Sequence, residues 1–313
     1  NNISFGANLA SKKNNASFLT STTSDKNTAF DFSHFGAVFV IDGKENSSIK
    51  NYSFGLLVNN KASYDNSYRI QGINNQSIGN YFLQHANYGN NGGAVPLNLV
   101  ETQQGESIGD LYDYLNSQPN GFASQQAMLG YQGYILNNDN GTYTSNVATG
   151  EYYQDALISS SGFNSKLTGN LGLNLNDKIY LGVNANVSFI DYTKSSSVFE
   201  ENTGTVTNGV GTILFDNTTY TYGNGFSFNI GGIYKATEAL RIGASYQSPT
   251  WMRLQDEFSQ NLQTAVITNG ARENYDINPN LVTLYNKYSV KNPGTMTGSL
   301  AYVFGSKGLL SFD

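Results

Sequence analysis

Between Phe163 and Tyr192 the chain alternates apolar and polar residues over two runs joined at Asn176-Asp177. In the first run Leu167, Leu171, Leu173 and Leu175 share one parity, and Lys166, Thr168, Asn170 and Asn174 share the other. In the second, Ile179, Leu181, Val183, Ala185, Val187 and Phe189 oppose Asn184, Asn186 and Ser188. Successive side chains of a strand point to opposite faces, so this pattern predicts an antiparallel hairpin with one apolar and one polar face. Each run extends over roughly a dozen residues, against five or six for a typical strand. Such a length suits a tilted strand crossing a hydrocarbon layer, its apolar face toward lipid and its Asn, Ser, Thr and Gly toward an enclosed interior.

The same alternation predicts further strands. The first runs from Asn2 to Ala10 and the second from Phe30 to Ile41, with Phe35, Ala37, Phe39 and Ile41 on one face. A third begins near Lys50 and groups Tyr52, Phe54, Leu56 and Val58. Beyond the hairpin lie Phe226, Phe228, Ile230 and Tyr234, then Leu240, Ile242, Ala244 and Tyr246, then Leu300, Tyr302 and Phe304. A last strand holds Leu310 and Phe312. Connections at 42–49, 176–177, 236–237 and 305–307 are short, whereas those at 11–29, 61–162, 193–223 and 249–295 are long. Short periplasmic turns and long extracellular loops characterise outer-membrane barrels. The expected fold is therefore all-β, a transmembrane antiparallel β-barrel. About nine strands are legible, an odd number, whereas single-chain bacterial barrels close on an even one. We read 1–313 as a single partial barrel domain, with a soluble β-sandwich or adhesion domain as the alternative.

Composition narrows the choice. Charged residues make up 13%, aromatics 13%, and there are 33 Gly, 22 Tyr and no Cys. Low charge with frequent aromatics fits a membrane barrel, where aromatics mark the two headgroup levels. No stretch approaches the length of a helical membrane span. A net charge of -6 excludes nucleic acid as a natural partner, because no basic surface would neutralise phosphates. No basic segment followed by an apolar run opens the chain, so we expect that an export signal has been removed or that a longer segment precedes Asn1.

The long extracellular loop region 61–162 is too long for a bare loop. Ser77 to Ala86 clusters Ile78, Tyr81, Phe82 and Leu83 at helical spacing. Ser107 to Leu115 starts with a Ser cap and Asp110 three positions on, and clusters Ile108, Leu111, Tyr112 and Leu115. Two helices are predicted, which either cover the outer mouth and line an apolar pocket or bury their own apolar faces. Pro249 should end or bend the strand before it, placing Trp251, Met252 and Leu254 near the outer rim. Arg253 is a candidate carboxylate contact, with Asp256 or Glu257 as its simpler partner.

Catalytic and metal chemistry find little support. His34 and His85 are the only imidazoles, and no Ser and carboxylate partners are arranged around them. The run Asn137 to Gly141 invites a calcium loop starting at Asp139, but its last position is Gly150 rather than Glu, so it reads as a hairpin tip. The stretch Gly89 to Gly93 lacks the Lys of a phosphate loop. We expect neither an enzyme nor a cofactor.

The stretches IGNYFLQHAN from Ile78, LGLNLNDKIYLGVNANVSFIDY, GGIYKATEALRIGASYQSPTWMRL and the final GSLAYVFGSKGLLSFD resemble the Bacteroidetes branch of the FadL/OMPP1/TodX outer-membrane transport proteins. The resemblance implies a fourteen-stranded barrel with an N-terminal hatch, taking up long-chain fatty acids or other hydrophobic compounds passively. It implies a groove at Tyr81, Phe82, Leu111 and Leu115, with Trp251 and Met252 nearby. The hatch and the final strands fall outside this chain on that reading. Membrane lipids or lipopolysaccharide and a hydrophobic small molecule are the implied partners of a monomeric barrel in the outer membrane. Because some relatives have become accessory components of membrane complexes, a structural subunit with a protein partner is the alternative.

Overall fold

The computed structural model describes residues 1–313. Strands β1 (Asn2–Phe18), β2 (Ser21–Asp42), β3 (Ile49–Ser63) and β4 (Asn66–Asn74) precede a helical segment. That segment holds α1 (Gly79–Tyr88), α2 (Ile108–Asn116) and α3 (Gly121–Gln132). A small hairpin, β5 (Leu136–Asp139) and β6 (Thr142–Ser145), leads to the long strands β7 (Tyr152–Leu175), β8 (Ile179–Asn202) and β9 (Gly209–Lys235). The chain continues through β10 (Leu240–Gln247), β11 (Thr250–Thr268), β12 (Ala271–Ile277) and β13 (Thr283–Leu284). It finishes with β14 (Tyr288–Asn292), β15 (Thr295–Val303) and β16 (Leu309–Phe312). All strands but β5 and β6 join one 14-stranded sheet, ordered β1-β2-β3-β7-β8-β9-β10-β15-β16, with β4 added to β7 and β11 to β9. Every strand pairing is antiparallel. No helix is long and apolar enough to cross a membrane.

The two faces of the sheet invert the usual rule of burial. On the apolar face Leu171 is 65% exposed, and Val183, Phe226 and Ile230 are each about half exposed. On the other face Asn186 is 2% exposed and Ser188 3%. The buried polar groups satisfy one another across strands: Thr168 Oγ1 donates to Asn186 Oδ1 at 2.9 Å, and Asn186 Nδ2 donates to Asn229 Oδ1 at 2.7 Å. Closing such bonds is what makes a buried amide tolerable.

Two irregularities decide which residues share a face. A register shift between Gly6 and Ala7 leaves Ser33 of β2 unpaired, because Gly6 faces His34 and Ala7 faces Phe32. The extra residue flips the parity, so Phe30 and Phe32 join the exposed apolar face of Phe35 and Phe39. The second sits at Ser248-Pro249, where β10 passes into β11. Gln247 faces Asn229 but Trp251 faces Phe226, so one more residue is spent on this side than on β9. Pro249 lacks a donor for the ladder, and the Ser248 hydroxyl bonds locally instead, accepting from Phe228 N–H and donating to Pro249 O, both at 2.9 Å.

Three of the expected long loops are mostly strand. β1 and β2 continue as a hairpin to Leu19-Thr20, β8 and β9 extend to Asn202 and from Gly209, and β11 and β12 form another hairpin. At the β1–β2 end the side chains are polar on both faces, and in the other two, apolar residues such as Val198 and Phe199, or Ile213, Leu214 and Phe215, fall on both parities, so the alternation a sequence reading depends on is lost. The region 61–162 likewise contributes the end of β3, all of β4 and the first part of β7 to the sheet, and only its middle is helical. Gly162 marks the bend within β7. Its φ of +115° and the 2.1 Å that a Cβ would leave to Asp191 O reserve the position for glycine.

The apolar core lies in the helical segment and not along the sheet as a whole. Phe82, Leu111, Leu115, Met128, Leu129 and Ile135 pack with Ile213, Phe215 and Leu262 of β9 and β11. The helices thus cover the end of the sheet farthest from the turn at Asn176-Asp177, on the face that carries Asn186 lower down.

Candidate functional site

The helical insert is tied to the wall by a buried carboxylate. Glu200 of β8, 1% exposed, accepts from Ile78 N–H at 2.7 Å and from Gln154 Nε2 at 2.6 Å, and the Ser77 hydroxyl bonds its other oxygen. A carboxylate at a helix N-terminus satisfies an otherwise orphaned donor and faces the positive end of the dipole. α2 carries the expected capping box: Asp110 N–H donates to Ser107 Oγ at 3.1 Å and Ser107 N–H donates to Asp110 Oδ2 at 3.0 Å. The Ser107 hydroxyl and then the Ser107 N–H, both donating to Asp110 Oδ2, hold that carboxyl below its ordinary range. α3 fastens to β11 through Thr264 Oγ1, which donates to Gly133 O at 2.8 Å.

Between insert and wall lies an apolar cavity of about 370 Å³. Ile78, Tyr81, Phe82 and Phe122 line it from the insert, and Val198, Phe215 and Phe258 line it from β8, β9 and β11. The rings interlock: Phe82 and Phe215 meet edge-on with centroids 5.1 Å apart, and Tyr81 meets Phe82 edge-on at 5.2 Å. Its size and largely hydrophobic lining are those of a small-molecule site.

Asn217 and Gln260 supply the polar part of the lining. Gln260 Oε1 accepts from Tyr112 Oη and from Gln126 Nε2, each at 2.8 Å, while its Nε2 donates to Asn217 Oδ1 at 2.5 Å. Tyr81 Oη donates to Gln126 Oε1 at 3.2 Å. Burial pushes the Tyr81 phenol up to about 12 and raises Tyr112 as well, so both remain donors at neutral pH. His85 stacks edge-on against Tyr81 with centroids 4.6 Å apart, and burial lowers its pKa, keeping the imidazole uncharged.

The seven residues singled out in the sequence are not brought together. Tyr81 and Phe82 line the cavity; Leu111 and Leu115 are buried behind it in the helical core. Trp251 is exposed on the apolar face beside Phe226, while Met252, on the opposite face, folds over Gly225. The bulge at Ser248-Pro249 thus fixes which of these adjacent residues reaches which face. Arg253 follows Trp251 on the exposed face and makes no ion pair; the sole ion pair joins Arg69 to Asp155. His34 lies on the polar face over Gly6. Asn140-Gly141 forms the tip of the β5–β6 hairpin, with φ of 51° and 90°.

Phe122, Val198, Phe215 and Phe258 were not legible as site residues. They lie in α3 and in the strand extensions, where no periodicity marks them out. Gln126 and Gln260 are 134 residues apart in the chain, and nothing in either neighbourhood announces the pairing. Comparison with protein-family models, curated proteins and solved structures finds no match to this chain.

Proposed function

We propose that this chain forms the wall of an outer-membrane β-barrel that admits hydrophobic compounds passively, the cavity beneath α1 and α3 being their first holding site. The observation that carries the reading is an apolar cavity at Tyr81, Phe122 and Phe258 on a wall whose other face leaves Leu171, Val183 and Ile230 exposed. In water an exposed apolar belt of that extent loses about 25 cal/mol for each Å² left unburied, whereas lipid makes it favourable. Aromatics bound the belt: Trp251 and Phe226 toward the insert, and Tyr234 and Tyr302 toward the short turns. That arrangement fits the two headgroup levels. The insert then faces the cell exterior and the short turns face the periplasm. The resemblance to the FadL/OMPP1/TodX proteins points the same way.

The test is extraction and mass spectrometry of small molecules that co-purify with the full-length protein in a detergent distinguishable from fatty acids. A stoichiometric hydrophobic compound, lost from a Phe122→Ser, Phe258→Ser double variant that still shows native strand content, is the expected result. A ligand-free protein recovered reproducibly with a second polypeptide would overturn uptake in favour of an accessory role in a membrane complex.

A further inference from the structure

The polar part of the cavity carries no positive charge. No Lys or Arg lines it, and the one acidic side chain bonded to its lining is Glu200 on Ile78 N–H. The nearby His85 imidazole is uncharged at and above neutral pH. Gln260, 6% exposed, has its donors committed to Asn217 and Gln126 and its acceptor to Tyr112 and Gln126. Asn217 differs: its Oδ1 is held by Gln260, which fixes the orientation of the amide, while its Nδ2 has no partner within the protein. One neutral N–H donor is therefore available in an otherwise apolar lining.

A carboxylate placed there would lose its hydration without gaining a counter-charge. Burying an ion without a partner is far more costly than burying a neutral group that keeps one hydrogen bond. Resting on the uptake reading, we propose that the cavity selects uncharged hydrophobic compounds bearing one acceptor oxygen, as in a fatty amide, ester or alcohol, over their carboxylates, and that Asn217 is the specificity-determining residue. At about 30 Å³ per water-sized group, the volume holds about a dozen heavy atoms, the size of a ten-carbon chain with its head group.

The experiment is displacement of the neutral fluorophore 1-naphthylamine, small enough for the cavity, from the full-length protein in amphipol at pH 8, with decanamide and decanoate as competitors of equal size. Decanamide is expected to displace the fluorophore at a concentration at least about tenfold lower than decanoate, a difference of about 1.4 kcal/mol. Asn217→Leu is expected to weaken decanamide severalfold relative to decanoate. Asn217→Lys is expected to narrow or reverse the preference by supplying the missing charge. Equal displacement by the two competitors, or a preference for decanoate in the unmodified protein, overturns the selectivity while leaving uptake standing. A fluorophore that does not bind, or that neither competitor displaces, brings down the uptake reading together with the inference.

Discussion

The sheet has one polar-facing side but two kinds of neighbour along it. Near the short turns that side displays Asn184, Asn186 and Ser188 of β8 and Ser227 and Asn229 of β9, which bond to each other and to β7. Farther along the same strands it displays Val198, Ile213 and Phe215, which meet the helical insert. The backbone geometry is continuous, so the change in composition records what covers the face. Amides and hydroxyls suit a polar interior, and aliphatic and aromatic groups suit helices.

The comparison can be broken first at the insert. Leu115→Ala removes a fully buried side chain and should destabilise the helical segment by about 4 kcal/mol. Leu171→Ala, on the exposed face, should cost under about 1 kcal/mol. Hydrogen exchange of α2 and α3 amides against those of β7 reads both. Glu200→Ala strips the bonds to Ile78, Ser77 and Gln154 and should cost about 3 kcal/mol. Limited proteolysis should then cut between α1 and α2 while the lower hairpins stay intact. A fourth substitution sharpens the meaning of the exposed face. Val183→Arg should weaken folding into lipid vesicles by about 2 kcal/mol, and a urea titration that is unchanged would count against a lipid-facing belt.

A smaller effect concerns the α2 cap. Ser107→Ala should cost about 1 kcal/mol, seen as faster exchange in the first turn of α2. It should also return the Asp110 carboxyl toward its ordinary pKa of 3.8. Because the folded-state value is depressed, this contribution is fully present above pH 3.8 and is lost as the pH falls through the lower folded value. In the Ser107→Ala variant that acid-dependent loss should disappear, as carboxyl chemical shifts followed against pH would register.

Legibility followed the same division. The hairpin from Phe163 to Tyr192 was readable because one face had to be apolar and the other polar, and α1 and α2 were readable from clustered apolar spacing and the Ser107/Asp110 cap. α3 escaped notice because it is surrounded: Ser124, Gln125 and Gln126 are as buried as Met128 and Leu129, so no stripe remains to be seen. The strand extensions were hidden because Ser, Thr and Asn occupy both sides of β1 and β2 there, and apolar residues such as Val198 and Phe199 occupy both sides of β8. The bulge at Ser33 was invisible for another reason, since parity counting assumes an uninterrupted ladder; Pro249 marked the break after β10 but not the one-residue slip that goes with it. Glu200 gave no signal, because a carboxylate that caps a helix more than a hundred residues away looks like any other acidic residue beside Glu201.

The interruption at Ser248-Pro249 also has a mechanical side. β8 and β9 run with uninterrupted pairing from Ile179 and Tyr234 up to Glu201 and Thr212, so together they act as a stiff beam joining the belt to the insert. Their neighbour on the other side is two shorter beams, β10 and β11, meeting at a joint where a proline withholds a donor and the phase of the ladder slips by one residue. Under load the first pair tilts as a unit, while bending strain on the second collects at the joint. On that side of β9 the sheet is therefore more compliant, between Gln247 and Thr250.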